Sequence, residues 1–328
     1  MAVRATTTAT EREAAIAAAV GALAAGRLVG LPTETVYGLG ADATDGRAVA
    51  AIYAAKGRPS FNPLIAHLPD LASAERHGVF DATARALAAA FWPGPLTLVV
   101  RRRPESAICD LASAGLDTIG LRVPANAVTR EILARFGRPV AAPSANRSGR
   151  VSPTAAEDVV AELGGAVAEV IDTGPTEVGV ESTIVAVLDG VPRLLRPGGV
   201  TRAAIEAVIG VALADEGPLT DDDAPLAPGM LSSHYAPAAR VRLDATSVEP
   251  GEALIAFGPD RPAGAEGAVA VFDLSPSGDL AEAAANLFRA LRDLDAAGAS
   301  AIAVAPIPAE GLGEAIVDRL RRAAAPRP

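Results

Sequence analysis

The stretch K-G-R-P-S-F-N-P-L-I-A-H, residues 56–67, decides the fold. It joins the end of a helical pattern over residues 45–56, with Gly57 as its C-cap, to a short apolar strand over residues 64–68. Helix and strand therefore alternate within a few residues, as in an α/β protein. Pro59 and Pro63 stiffen the joint and remove two amide donors from it. The joint also carries chemistry. Lys56 is the only lysine among 29 basic residues, and a compact ammonium with three donors serves a different purpose from a planar guanidinium. A lysine at a helix end also complements the dipole, which is the plainer reading. Arg58, Asn62 and His67, one of three histidines, follow at once, and a rigid turn bearing these groups suits an anion.

Upstream, Thr10 and Glu13 have capping-box spacing ahead of an amphipathic helix running to about Gly26. A strand over residues 27–31 then enters P-T-E-T-V-Y-G-L-G, residues 32–40. Its glycines and threonine hydroxyls lie just past a strand's carboxyl end, where open α/β sheets bind ligands. Downstream, helical patterns at 71–75 and 81–91 lead to W-P-G-P-L-T-L-V-V, residues 92–100, with Trp92 filling a core edge. In the strand 118–123, T-I-G-L-R-V, Gly120 and Arg122 share one face and Ile119, Leu121 and Val123 the other. Arg122 is thus either a surface residue of an edge strand or part of a pocket wall. A helix over 126–136 precedes P-V-A-A-P-S-A-N-R-S-G, residues 139–149. Its Ser144, Asn146, Arg147 and Ser148 suit a phosphate or carboxylate, a plain strand-to-helix connection being the competing reading. Ser152 and Pro153 read as N-cap and first turn of a helix to about Leu163. Strands at 167–171, 183–188 and 193–196 and a helix at 201–209 complete a domain over residues 10–209.

Residues 210–238 read as a linker, acidic from Asp221 to Asp223, whose P-G-M-L-S-S-H-Y-A-P segment, 228–237, is expected to dock on the active site. Beyond it, strands at 241–243, 253–257, 269–272 and 301–305 alternate with helices at 280–297 and 312–324. This is a smaller Rossmann-like α/β accessory domain over residues 239–328, expected to regulate, cover or scaffold.

Composition narrows the function. A chain of 328 residues exceeds the usual single core. Its single cysteine, Cys109, forms no internal disulfide and fits a reducing compartment. The N-terminus lacks a signal pattern and the Ala-rich run at 14–26 is too short to span a bilayer, so a cytoplasmic protein without membrane attachment is expected. Residues 1–202 hold 20 basic and 20 acidic side chains, and residues 203–328 hold 9 and 19, which is the whole net charge of −10. Neither part is basic, and with 3% aromatic residues the chain lacks the stacking platforms of a nucleic-acid-binding module. No P-loop or G-x-S-x-G elbow is present, which argues against ordinary kinases and hydrolases. Cys109 reads as inert, and His77 as a helix-end or surface residue.

Four motifs in order, P-T-E-T-V-Y-G-L-G, K-G-R-P with N-P-L-I-A-H, A-P-S-A-N-R-S-G, and S-T-I-V before L-R-P-G, together resemble the YrdC-like threonylcarbamoyl-AMP synthases over about residues 10–205. P-G-M-L-S-S-H-Y-A-P and the trailing domain resemble the long, two-domain form of that family. The resemblance implies a YrdC-like twisted mixed sheet with flanking helices. It also implies a nucleotidyl transfer: L-threonine, bicarbonate and ATP become L-threonylcarbamoyladenylate and pyrophosphate. The product feeds N6-threonylcarbamoyladenosine (t6A) formation in tRNA, passing to the tRNA threonylcarbamoyl-transferase machinery. RNA contact is compatible with this chemistry and not required by it.

Such a reaction brings two anions together, so positioning and charge neutralisation matter more than a strong base. Lys56, Arg58, Ser144 and Asn146 are the candidates for that role. By resemblance, Thr35, His67, Arg122, Ser144 and Ser182 would hold threonine, with Arg122 pairing its carboxylate. Arg58, Asn62, Thr118, Ala142, Asn146, Ser152, Arg196 and Tyr235 would hold ATP, Ala142 through its backbone. Mg²⁺ is expected to arrive with the triphosphate, since no Asp/Glu cluster reads as a dedicated metal cage. The alternatives are a carbamoyltransferase-type YrdC module and a non-catalytic RNA-binding regulator.

Overall fold

A computed structural model describes residues 1–188, 190–215, 227 and 234–326. The first part of the chain forms β1 (Ala2–Ala5), α1 (Ala9–Ala24), β2 (Val29–Leu31), β3 (Gly38–Asp42), α2 (Gly46–Lys56), β4 (Ile65–His67), α3 (Leu71–Ala74), α4 (Ala82–Phe91) and β5 (Leu96–Arg101). Then come β6 (Thr118–Arg122), α5 (Ala127–Phe136), β7 (Val140–Ala141), α6 (Ala156–Leu163), β8 (Glu169–Asp172), β9 (Thr183–Leu188), β10 (Val191–Arg196), α7 (Arg202–Ile209) and β11 (Ala214–Asp215). These strands make one mixed sheet in the order β1-β8-β2-β3-β7-β4-β6-β5-β9-β10-β11. Its middle alternates in sense: β4 runs parallel to β6, while β7 is antiparallel to β3 and β4, and β5 to β6.

The rest of the chain forms β12 (Arg240–Arg242), β13 (Glu252–Ala256), β14 (Val271–Asp273), α8 (Leu280–Ala296), β15 (Ala301–Val304) and α9 (Gly313–Ala324). Its sheet, in the order β12-β15-β13-β14, is parallel throughout. The expected fold class, a helix-flanked mixed sheet with a smaller Rossmann-like α/β unit, is the one observed.

The joint at residues 56–67 is built as its sequence dictates. Asp45 caps α2 by accepting from the Arg47 amide, and Gly57 ends it at φ 60°, a left-handed conformation that costs glycine nothing. On β4, Ala66 with its neighbours Leu64 and Leu68 enters the main core beside Ile52, Leu87 and Leu98. By the two-residue period Ile65 and His67 then face the opposite side of the sheet. That second face holds the cavity described below.

Four local expectations change. α1 starts earlier than the Thr10–Glu13 spacing suggests: Thr8 and Glu11, a second T-x-x-E, form the capping box. Glu13 instead binds Arg135 on α5 at 2.6 Å, which ties the two helices together. β1, largely exposed and without alternation, gave no strand signal and is recruited by parallel pairing with β8. Ser152 is not the N-cap of α6, which begins after Ala155 with the Asp158 carboxylate accepting from the Thr154 and Ala155 amides. His77 is no surface residue; it is buried with Nδ1 3.1 Å from the Ser106 hydroxyl.

Trp92 packs edge-on against Phe80 and donates to the Leu96 carbonyl at 2.7 Å, a structural role. In the 210–238 segment, Asp221 to Asp223 and Pro228 to Ser233 lie outside the described residues.

Candidate active site

β6 lies between β4 and β5, so Arg122 sits in the middle of the sheet and not on an edge. Its side chain is 4% exposed and turns into a cavity of about 50 Å³ on the face that Ile65 and His67 share. Arg122 Nη2 donates to Glu34 Oε1 at 2.6 Å and to Thr35 Oγ1 at 2.9 Å, and Nε donates to the Gly94 carbonyl at 3.3 Å. Glu34 is held from its other side by the Ala125 amide at 2.8 Å. The P-T-E-T turn that presents Glu34 and Thr35 closes on itself, since Thr33 Oγ1 donates to the Val36 carbonyl at 2.6 Å and accepts from the Thr35 amide at 3.2 Å.

His67 completes this end of the cavity. Burial, helped by the Arg122 charge, pulls its imidazole down to about 3, so the ring is neutral at physiological pH. Nδ1 lies 3.2 Å from the Ile65 carbonyl.

Arg58 and Arg196 line the cavity as well. Arg58 Nη2 donates to the Pro63 carbonyl at 2.9 Å, and burial lowers the guanidinium to about 10. Arg196 Nη2 donates to the Ser182 carbonyl at 2.9 Å, while the Ser182 hydroxyl sits 2.8 Å from that of Thr97. Beside them is Glu181, a buried carboxylate that accepts from the Ser152 hydroxyl at 2.5 Å and from Arg319 Nε at 2.7 Å. Burial alone would raise this carboxyl, but Arg319 and Arg196 outweigh it and hold it below its ordinary value.

Lys56 lies one layer beneath the cavity. Its ammonium donates to the Ser144 and Asn146 carbonyls, both at 2.5 Å, and its own carbonyl accepts from the Ser148 amide. The lysine thus clamps the A-P-S-A-N-R-S-G loop to the end of α2. Burial, then the Arg58 charge, lowers it well below the usual lysine range.

The cavity lining brings together nine of the sequence candidates: Thr35, Arg58, His67, Arg122, Ala142, Ser144, Ser182, Arg196 and Tyr235. Lys56, Asn62, Thr118, Asn146 and Ser152 are buried but stand outside that lining. Three of these five have an orphaned buried oxygen: Asn62 Oδ1, Thr118 Oγ1 and Asn146 Oδ1 lack hydrogen-bond partners among the described residues. Thr118 shares a strand face with Gly120 and Arg122, so its hydroxyl lies roughly 13 Å from the Arg122 position along β6.

The sequence pointed to His234 only as part of the docking segment, and it did not point to Glu34, Glu181 or Arg319. Glu34 and Glu181 stand inside or beside the quoted motifs, so their signal was present. Arg319 lies in an arginine-rich helix end that nothing in the sequence singles out.

Fold and cavity together define an α/β protein of the YrdC type. Residues 21–198 match the Sua5/YciO/YrdC family, whose description reads telomere recombination, and residues 200–325 match the threonylcarbamoyl-AMP synthase C-terminal domain. The chain is 41% identical over 324 residues to the threonylcarbamoyl-AMP synthase of Bacillus subtilis, covering 95% of this chain and 93% of that one. It is 40% identical to the enzyme of the same name from Pyrococcus abyssi, covering 93% and 92%. The structure of P. abyssi Sua5 complexed with L-threonine superposes with a TM-score of 0.87 at 36% identity, covering 99% of this chain and 97% of that one. The chain therefore belongs to the threonylcarbamoyl-AMP synthase family, whose members are nucleotidyltransferase-type enzymes. Among the described residues, no helix is long and apolar enough to cross a membrane.

Proposed function

We propose that this chain condenses L-threonine, bicarbonate and ATP into L-threonylcarbamoyladenylate and pyrophosphate on the face shared by β4 and β6. The observation that carries this reading is the layout of that face. Its Arg122 end offers a guanidinium whose Nη1 has no partner among the described residues, next to the Thr35 hydroxyl and a neutral imidazole. That set suits an amino acid's carboxylate and hydroxyl. The orphaned oxygens of Asn62, Thr118 and Asn146, with Arg58 close to Asn62, suit the nucleotide.

In this reading Thr35, His67, Arg122, Ser144 and Ser182 hold threonine, and Arg58, Asn62, Thr118, Ala142, Asn146, Ser152, Arg196 and Tyr235 hold ATP. The threonine amine bonds to the bicarbonate carbon with loss of water to give a carbamate, and a carbamate oxygen attacks the α-phosphorus as pyrophosphate leaves. Arg58, Lys56 beneath the loop, and the Ser144 and Asn146 groups stabilise the charge that develops there. Mg²⁺, carried on the triphosphate oxygens, would neutralise the departing pyrophosphate. The described residues contain no group of three or more His, Cys, Asp and Glu side chains arranged to hold a metal.

The described segment from His234 to Pro237 borders this cavity. His234 and Tyr235 form part of the wall, and Tyr235 is held at φ 61°, a strained conformation for a non-glycine residue. We divide the chain into a catalytic domain at 10–209, a linker at 210–238 and an accessory domain at 239–328. The product would pass to a tRNA threonylcarbamoyl-transferase. Matches along nearly the whole length of two synthases favour this reading over a carbamoyltransferase module or an RNA-binding regulator.

The test is pyrophosphate release from ATP by the purified chain. Release that requires both threonine and bicarbonate supports the reading. Release that needs carbamoyl phosphate, or RNA binding without turnover, replaces it with one of the alternatives.

A further inference from the structure

The cavity wall includes a contribution from the far end of the chain. Arg319, in α9, is 0% exposed and is the largest fully buried side chain among the described residues. Its guanidinium serves three acceptors: Nε donates to Glu181 at 2.7 Å, Nη2 to the Pro197 carbonyl at 2.9 Å, and Nη1 to the adjacent Asp318 carboxylate at 2.5 Å. Its Cζ stands 5.1 Å from the centre of the Tyr235 ring, which also meets His234 edge-on at 4.0 Å and stacks on Phe288 of α8 at 5.6 Å. Glu181 and Tyr235 line the cavity, and Arg319 stands behind both.

We propose that Arg319 is a positioning residue of the active site: the C-terminal unit neutralises Glu181 and seats Tyr235, and thereby sets the affinity for nucleotide. The inference rests on the proposed ATP-dependent reaction. A buried carboxylate beside a site for a triphosphate is repulsive unless a cation is assigned to it. Without Arg319, Glu181 would be left to Arg196, whose charge it already feels, and would compete for that guanidinium with the phosphates. Arginine is required because one planar group meets acceptors in three directions while turning its face to an aromatic ring, which a lysine does not do. The residue touches neither substrate in this arrangement, so its effect is exerted through Glu181 and Tyr235.

The test compares full-length wild type with Arg319→Met, Arg319→Lys, Glu181→Gln and the double variant Arg319→Met/Glu181→Gln. ATP affinity is read by calorimetry, alongside kcat and the separate KM values for ATP and threonine. Arg319→Met is expected to weaken ATP binding by about tenfold or more, with KM for threonine within about threefold of wild type, and Arg319→Lys to fall between. The double variant is expected to recover much of the lost affinity, because the carboxylate left without its cation is gone. A purely structural role would lower thermal stability and leave KM for ATP unchanged. ATP affinity of Arg319→Met within about twofold of wild type, or a double variant no tighter than Arg319→Met, overturns the proposal. Should Arg319→Met fail to fold, Arg319→Lys decides: weakened ATP binding supports the proposal and unchanged binding overturns it. Wild-type protein that binds ATP without threonine-dependent pyrophosphate release would sink the proposed reaction and leave this coupling standing.

Discussion

Lys56 holds two backbone carbonyls of one loop, so in the proposed reaction it would act through geometry as well as charge. Lys56→Ala is expected to keep the fold and to lower threonine-dependent pyrophosphate release by about 100-fold or more; turnover at the wild-type rate would remove Lys56 from the mechanism. Lys56→Arg should not restore it, since a planar fork does not fit where a single nitrogen makes two short bonds.

The two buried histidines of the cavity make a second residue-scale prediction. Burial pulls His67 and His234 down to about 3. An unfolded chain takes up protons as pH falls through about 6.5, while the native histidines do not. The stability they contribute is therefore present above that pH and is lost as pH falls toward 3. By pH 5 the loss is on the order of 2 kcal/mol for each. Urea midpoints at pH 7.5 and pH 5 should differ less in His67→Gln than in wild type, and an equal difference would assign the acid sensitivity to other groups.

Among the elements, α5 and the stretch before β9 show where local design meets packing. Asn126 caps α5 by accepting from the Val128 and Thr129 amides at 3.1 Å, and its amide donates to Thr173 at 3.1 Å. Asn126→Ala should cost about 1 kcal/mol, read from the urea midpoint, and leave catalysis intact. Gly179 is a stricter case. It holds φ +74°, and a Cβ there would lie 2.4 Å from the backbone of Ala284 and Ala285 in α8. Gly179→Ala should destabilise the contact between the two sheets' units by roughly 2–4 kcal/mol, combining overpacking with backbone strain. Proteolysis within residues 210–238 should become faster in that variant; wild-type resistance would show that α8 yields at little cost.

At the scale of the whole molecule, the two units share a core. Val36, Val151 and Val180 from the first pack in one apolar cluster with Tyr235, Ile255, Leu287 and Phe288. Arg292 of α8 adds a hydrogen bond to the Val151 carbonyl at 2.5 Å. Cutting the chain after Gly210 would expose three valines and remove both Tyr235 and Arg319. Such a truncation is expected to lower kcat/KM for ATP by at least about tenfold, since part of the cavity wall is removed with it. Unchanged kinetics would reduce the segment around Tyr235 to a tether.

The alternation of helix and strand, the Gly57 cap, the shared face of Gly120 and Arg122 and the family itself were determined by the sequence alone. Each depends on spacing within a few residues, or on motifs short enough to read directly. Tertiary structure decided what spacing cannot encode. Arg122 became central because β4 and β5 flank its strand, and Ser152 left its capping role for Glu181, 29 residues away. β1 became a strand only through a partner 167 residues on, and Arg319 met Glu181 across 138 residues. A buried polar group must find a partner wherever the fold supplies one, and that choice is made by packing in three dimensions.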